Sequence, residues 1–164
     1  MTTPPRRYDY TRYNHHDVLR LNAMYWVITL FLSRHLILLI LLGVSAGRGG
    51  AGPRIPALAA LLDPVFFVTD IPAVILLFVA GARLPRSGAV TRSFWRKGQY
   101  FLLASCVLYI ALLLWQQGAN IIRFQPLTWG LLATNIGVMV YVMKSRYLRD
   151  MFSEFPAPDA NSKP

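Results

Sequence analysis

The sequence predicts an all-α membrane protein with four transmembrane helices and both termini in the cytoplasm, and three observations carry that reading. Stretches at about residues 22–44, 63–84, 99–117 and 126–143 are each apolar for roughly the 20 residues a helix needs to cross a hydrocarbon core ~30 Å thick. Hydrophobic residues make up 55% of the 164-residue chain and charged ones only 15%, which is too apolar for a soluble domain of this size. The basic residues, finally, sit beside the apolar stretches and do not form one long run.

Positive loops are retained in the cytoplasm, so the 17 Lys and Arg residues set the orientation. Thirteen of them lie before span one (Arg6, Arg7, Arg12, Arg20), between spans two and three (Arg83, Arg86, Arg92, Arg96, Lys97) or after span four (Lys144, Arg146, Arg149, Lys163). The other two connections hold Arg48, Arg54 and Arg123, and Arg34 lies within span one. That bias places both ends in the cytoplasm. The net charge of +10 thus reads as topological anchoring, and nucleic acid is not an expected partner. Span one is expected to stay in the mature protein. Its apolar region is longer than the ~7–15 residues of a signal sequence, and Arg34 interrupts it, although Val44-Ser45-Ala46 has the small residues of a cleavage site.

Residues 1–21 form a cytoplasmic interfacial segment in which Tyr8, Tyr10 and Tyr13 suit the headgroup zone and the arginines attract anionic lipid. Gly47, Gly49, Gly50, Gly52, Pro53 and Pro56 end the first helix in a loop. The apolar run 55–62 is too short to cross and either lies at the interface or re-enters the membrane. Asp63 is placed to cap the second span ahead of Pro64, and Pro72 interrupts the backbone ladder, predicting a kink near Phe67 to Pro72.

Between spans two and three, Trp95 beside Arg96 and Lys97 reads as an interfacial anchor. Trp115 and Trp129 mark the outer boundary of an antiparallel hairpin formed by spans three and four. Gly130, Ala133, Thr134 and Gly137 form a small-residue stripe at helical spacing that permits close contact with another helix. Residues 144–155 keep a helical apolar period through Tyr147, Met151, Phe152 and Phe155, predicting an amphipathic arm on the membrane surface or docked on a partner. The tail 156–164 is expected to be disordered.

Arg34 falls near the middle of span one, where a charge costs roughly 2.5–3.5 kcal/mol and needs a partner or water. Asp70 enters span two from the outer side to a similar depth, ~10 Å against ~15 Å, a gap that a long arginine side chain closes. An Arg34–Asp70 pair with His35 or Asn135 nearby is the candidate site. It either braces two helices or lines a path for a small anion or protons, with His35 titrating in the useful range.

No cofactor or metal is expected. The lone cysteine, Cys106, reads as a packing residue. His15, His16 and Asp17 are consecutive and do not converge readily on one ion. His35 is the only histidine at membrane depth, against haem ligation by two. No nucleophile with its base and no phosphate loop is present, so an enzyme is not expected.

The segment Tyr13-Asn14-His15-His16-Asp17-Val18-Leu19-Arg20, a first span centred on Arg34 and the element Trp95-Arg96-Lys97 before span three together resemble the YfeZ-like family of bacterial inner-membrane proteins, a domain of unknown function. Asn14 stands where that family has an acidic residue, and Asn22 departs from its proline-rich entry to the span. The resemblance implies a bacterial inner-membrane location and carries no activity, cofactor or catalytic residue. The reading is therefore a non-enzymatic accessory or assembly subunit that contacts membrane lipid and another membrane protein, or a second copy of itself, through its helices. The alternative is a small oligomeric transporter or channel component with Arg34, His35, Asp70 and Asn135 on a polar path.

Overall fold

The computed structural model describes residues 8–13, 18–47, 63–116 and 126–156. Among the described residues there is no strand, only an isolated antiparallel bridge between Tyr13 and Leu19. Seven α-helices follow: α1 (Ala23–Leu32), α2 (Arg34–Gly47), α3 (Phe67–Gly81), α4 (Ala89–Arg96), α5 (Gly98–Gln116), α6 (Pro126–Lys144) and α7 (Arg146–Ser153). Three segments are long and apolar enough to cross a membrane, Pro64–Gly81, Gly98–Gln116 and Pro126–Lys144. A fourth is present if α1 and α2 count as one bent span. The polyglycine loop beyond Gly47, the run 55–62, the residues His15, His16 and Asp17, and the tail beyond 156 lie outside the described residues.

Span one departs from the continuous helix that its composition predicts. Asn22 caps α1 by accepting from the Met24 amide, and the helix runs only to Leu32 before the axis turns by 71° at Ser33. At the break, Arg34 and His35, adjacent in an apolar run, turn to different partners, Arg34 to the Phe31 carbonyl and His35 to Asp70.

Before α3, Asp63 caps a 3₁₀ turn at Pro64–Phe66 by accepting from the Val65 amide at 3.1 Å, and proline at the first position loses no bond there. The chain passes from 3₁₀ to α geometry at Phe67, and the helix then runs on through Pro72. α3 is the central element, packed against α1, α2 and α5, and α5 packs in turn on α6. The Gln99 side-chain amide donates to the Val142 carbonyl at 2.9 Å, tying the start of α5 to the end of α6 and making the pair antiparallel.

The basic connection between spans two and three is not a plain loop. It holds α4, whose Trp95 is fully buried (0% exposed) and therefore does not act as an anchor in the headgroup zone. Its indole donates to the carbonyls of Met151 and Glu154 at 3.1 and 3.0 Å, and its ring packs on Phe152 and Tyr25. The extension after span four is equally self-contained. Ser145 ends α6 and caps α7, accepting from the Leu148 amide, and Leu148, Met151 and Phe152 turn inward against α4 and α5. An indole N–H and an apolar helix face both gain more from a partner inside the chain than from an interface, and each supplies the other.

Arg83, at the end of α3, closes this cluster. It donates to the Leu19 and Glu154 carbonyls, both at 2.9 Å, and its guanidinium lies 4.7 Å from the Trp95 ring centroid. The N-terminal segment docks on the same end. Tyr8 donates to Asp150 at 2.8 Å, the Leu19 amide to Glu154 at 2.8 Å, and Tyr147 to the Arg20 carbonyl at 2.8 Å. Burial pushes the Tyr147 phenol above its ordinary pKa, so it keeps the proton that this last bond uses.

The close approach of α7 to α5 requires a glycine. A Cβ at Gly98 would overlap the edge of the Phe152 ring at Cε1 and Cδ1. Gly98→Ala is expected to destabilise the protein by about 1–3 kcal/mol through overpacking and to expose α7 to protease at Arg149. Phe152→Leu in the same chain should recover part of the loss, which thermal unfolding of the two single variants and the double variant in detergent would measure.

Candidate functional site

The break at Ser33 leaves two helix ends inside an apolar span, and each has taken a group of the sign that its dipole favours. α2 begins there with its amide N–H groups unbonded within the helix, a partial positive charge. The Asp70 carboxylate, fully buried on α3, meets it. Its Oδ2 accepts from the Leu36 amide at 2.9 Å, and its Oδ1 lies 2.8 Å from His35 Nδ1. The Thr69 hydroxyl donates to the Phe66 carbonyl at 2.7 Å and lies 3.2 Å from Oδ1. Both carboxylate oxygens are thus satisfied by the chain.

α1 ends with free carbonyls, a partial negative charge, and Arg34 meets it. Its Nη1 donates to the Phe31 carbonyl at 3.1 Å. The guanidinium lies 4.6 Å from the Phe31 ring centroid and 4.3 Å from that of Tyr109 on α5, so two aromatic faces cover a charge in an apolar region. The direct Arg34–Asp70 bridge expected from depth alone does not form. The break sends the two side chains to opposite helix ends, and His35, the nearer neighbour in sequence and space, takes the carboxylate instead. The His35 ring also packs against Phe66 at 5.5 Å and Tyr109 at 5.9 Å, nearly parallel to both.

Several buried polar atoms at this level have no hydrogen-bond partner among the described residues. They are Ser33 Oγ, Arg34 Nε and Nη2, and both side-chain amide atoms of Asn135. Nε and Nη2 form the edge of the guanidinium with which arginine grips a carboxylate or phosphate in a bidentate manner. Asn135 is fully buried on α6. Counting about two turns down each helix from the Gln99–Val142 bond places it level with Cys106, one turn from Tyr109. Structure therefore gathers Arg34, His35 and Asp70 at one junction and puts Asn135 at its depth. Tyr109, Phe66 and Phe31 complete the junction and were not singled out by sequence. The signal available was a tyrosine in the middle of an apolar span, where its hydroxyl is costly.

The stripe at Gly130, Ala133, Thr134 and Gly137 faces away from the other helices, and all four residues are exposed. Nothing lies within 4 Å of a Cβ added at Gly130 or Gly137, and the Thr134 hydroxyl bonds the Gly130 carbonyl of its own helix at 2.8 Å. Trp115 and Trp129 are exposed near one end of the α5–α6 hairpin. Tyr10 is exposed, while Tyr8 and Tyr13 are half-buried and Tyr8 is bonded to α7.

Helices of this length and apolarity, one of them broken around buried charge, define a multi-pass helical protein of the membrane class. The chain belongs to the DUF2919 family of proteins of unknown function, which it matches over residues 8–154. No curated protein and no solved structure shows significant similarity to it.

The Asp70 contacts predict an order among substitutions. Asp70→Leu removes the cap of α2 and strands His35, and is expected to cost about 3–5 kcal/mol, the range for breaking a buried pair. Asp70→Asn keeps an acceptor for the Leu36 amide and should cost less. Unfolding midpoints of both variants in one detergent check this, and equal midpoints would show that the capping bond contributes nothing.

Proposed function

We propose that the protein is a four-span inner-membrane protein of bacteria, with both termini in the cytoplasm, that acts without catalysis as an accessory or assembly subunit of a larger membrane complex. The observation that carries this reading is the face of α6. Only 11% of that span is buried inside the molecule, against 39% and 33% for the other two long spans. Its outward side carries the small residues that let helix backbones approach closely. Lipid tails pack against a flat glycine face no better than against a leucine face, so such a stripe gains from another helix. The inward turn of α7 narrows the choice of contact surface, because the amphipathic arm is already occupied by α4 and α5.

A second reading, a transport component working as an oligomer, is favoured by one specific observation. Arg34 Nε and Nη2 have no hydrogen-bond partner of normal geometry among the described residues, beside two half-helix ends and the Tyr109 ring, an arrangement that suits an anionic group arriving from outside the chain. The two readings separate experimentally because Gly130 and Gly137 have open space around them. Gly130→Leu and Gly137→Leu should leave stability within about 0.5 kcal/mol, as for other substitutions without an internal contact. On the accessory reading, the tagged protein purified at native expression level in mild detergent carries a stoichiometric membrane partner, seen by mass spectrometry, and both variants lose it. Recovery of the protein alone as a defined oligomer overturns that reading and makes anion flux in liposomes the assay of the other.

A further inference from the structure

We propose that the cleft between the start of α5 and the outer face of α7 binds the headgroup of an anionic phospholipid. The cleft measures about 640 Å³ and is lined by Arg96, Gln99, Tyr100, Leu103, Arg149, Phe152 and Ser153. It sits where the polar α4 gives way to the apolar span Gly98–Gln116, at the boundary where a lipid phosphate resides. Two arginines reach it from different helices. The Arg96 guanidinium has no partner among the described residues, and Arg149 commits one donor to the Met143 carbonyl at 3.3 Å.

The acidic residues nearest in sequence do not neutralise them. Asp150 accepts from Tyr8 and Glu154 from the Leu19 amide, both on the side facing the N-terminal segment, and neither lines the cleft. The positive charge is therefore unopposed within it, and a phosphodiester is the complementary group that this boundary supplies.

The floor below the arginines distinguishes a lipid from a free phosphate. Phe152 and Leu103 give the lining of the cleft its apolar surface. From there Tyr100 (72% exposed), Leu103 and Val107 (54% exposed) run down one face of α5 at helical spacing. Seven residues of helix carry that face ~10 Å into the apolar layer. A ligand with a phosphate head and an acyl chain contacts the whole surface, and inorganic phosphate contacts only its top.

The test is native mass spectrometry of the full chain in non-ionic detergent, titrated with phosphatidylglycerol, with phosphatidylcholine of the same acyl chains, and with inorganic phosphate as competitor. Phosphatidylglycerol should bind in preference to phosphatidylcholine, and millimolar phosphate should not displace it. Arg96→Gln with Arg149→Gln should weaken phosphatidylglycerol binding about twenty-five-fold, from roughly fivefold per arginine near an anionic surface. Arg86→Gln, an exposed arginine outside the cleft, should leave it unchanged.

Equal binding of the two lipids, or selectivity surviving in the double variant, overturns the proposal. Displacement by phosphate overturns it in favour of a site for a free anion. Should the double variant not fold, Leu103→Trp, which intrudes on the acyl-chain side of the cleft and keeps every charge, must weaken phosphatidylglycerol binding, and unchanged binding there has the same overturning force.

Discussion

An interrupted helix inside an apolar layer has no water to satisfy its open ends, and the rest of this structure is arranged around that constraint. Each unpaired amide or carbonyl costs several kcal/mol in hydrocarbon. The turn at Ser33 therefore needs an acceptor for α2 and a donor for α1 from within the chain. Asp70 and Arg34 provide them. Asp70 in turn fixes where α3 passes, since its carboxylate must lie at the first turn of α2, and Thr69 and Ser105 then tie α3 to α5 through the Thr69 carbonyl. A single buried carboxylate thus joins α2 to α3, and the neighbouring residue on α3 joins it to α5.

The opposite end of the molecule solves a different problem with similar means. Four segments end or turn there, and their free carbonyls, at Leu19, Met151 and Glu154, are collected by Arg83 and by the Trp95 indole. Both donors are amphipathic, with broad apolar surface behind the N–H groups, so they fill the core and satisfy backbone at once. This explains why α7 folds back and does not lie free. Its apolar side meets Trp95 and Tyr25, and the carbonyls at its end accept from the Trp95 indole and the Arg83 guanidinium.

Much of the fold was legible in the sequence because hydrocarbon imposes a simple rule on long apolar runs. The boundaries of α5 and α6, the cap at Asp63 and the antiparallel hairpin follow from length, turn residues and capping chemistry, which are local. The break at Ser33 was not legible, since nothing in residues 22–44 alone marks it. Its reason is Asp70, distant in sequence. The same limit applies to Trp95, whose neighbours Arg96 and Lys97 are those of an interfacial anchor, while its actual partners come from residues 151–154. Of the candidate site, Arg34, His35 and Asp70 were found from depth and charge. Their pairing was not, because depth fixes only one coordinate and the 71° turn decides which side chain points at which helix end.

The junction divides into a finished part and an unfinished part, and that division bears on which of its residues act. Asp70 has both oxygens bonded within the chain, and His35 is held by that carboxylate and packed against two aromatic rings. Groups so satisfied resist change, which is what a brace requires. Arg34 and Asn135 have the opposite character. Each is anchored by its helix and by aromatic or apolar cover, yet each keeps buried hydrogen-bonding atoms unpaired, at a cost of about 1–3 kcal/mol for each such group. A brace gains nothing from that cost. Variation at Asp70 therefore disturbs a completed set of bonds, whereas variation at Arg34 Nε and Nη2 or at the Asn135 amide breaks no hydrogen bond within the described residues.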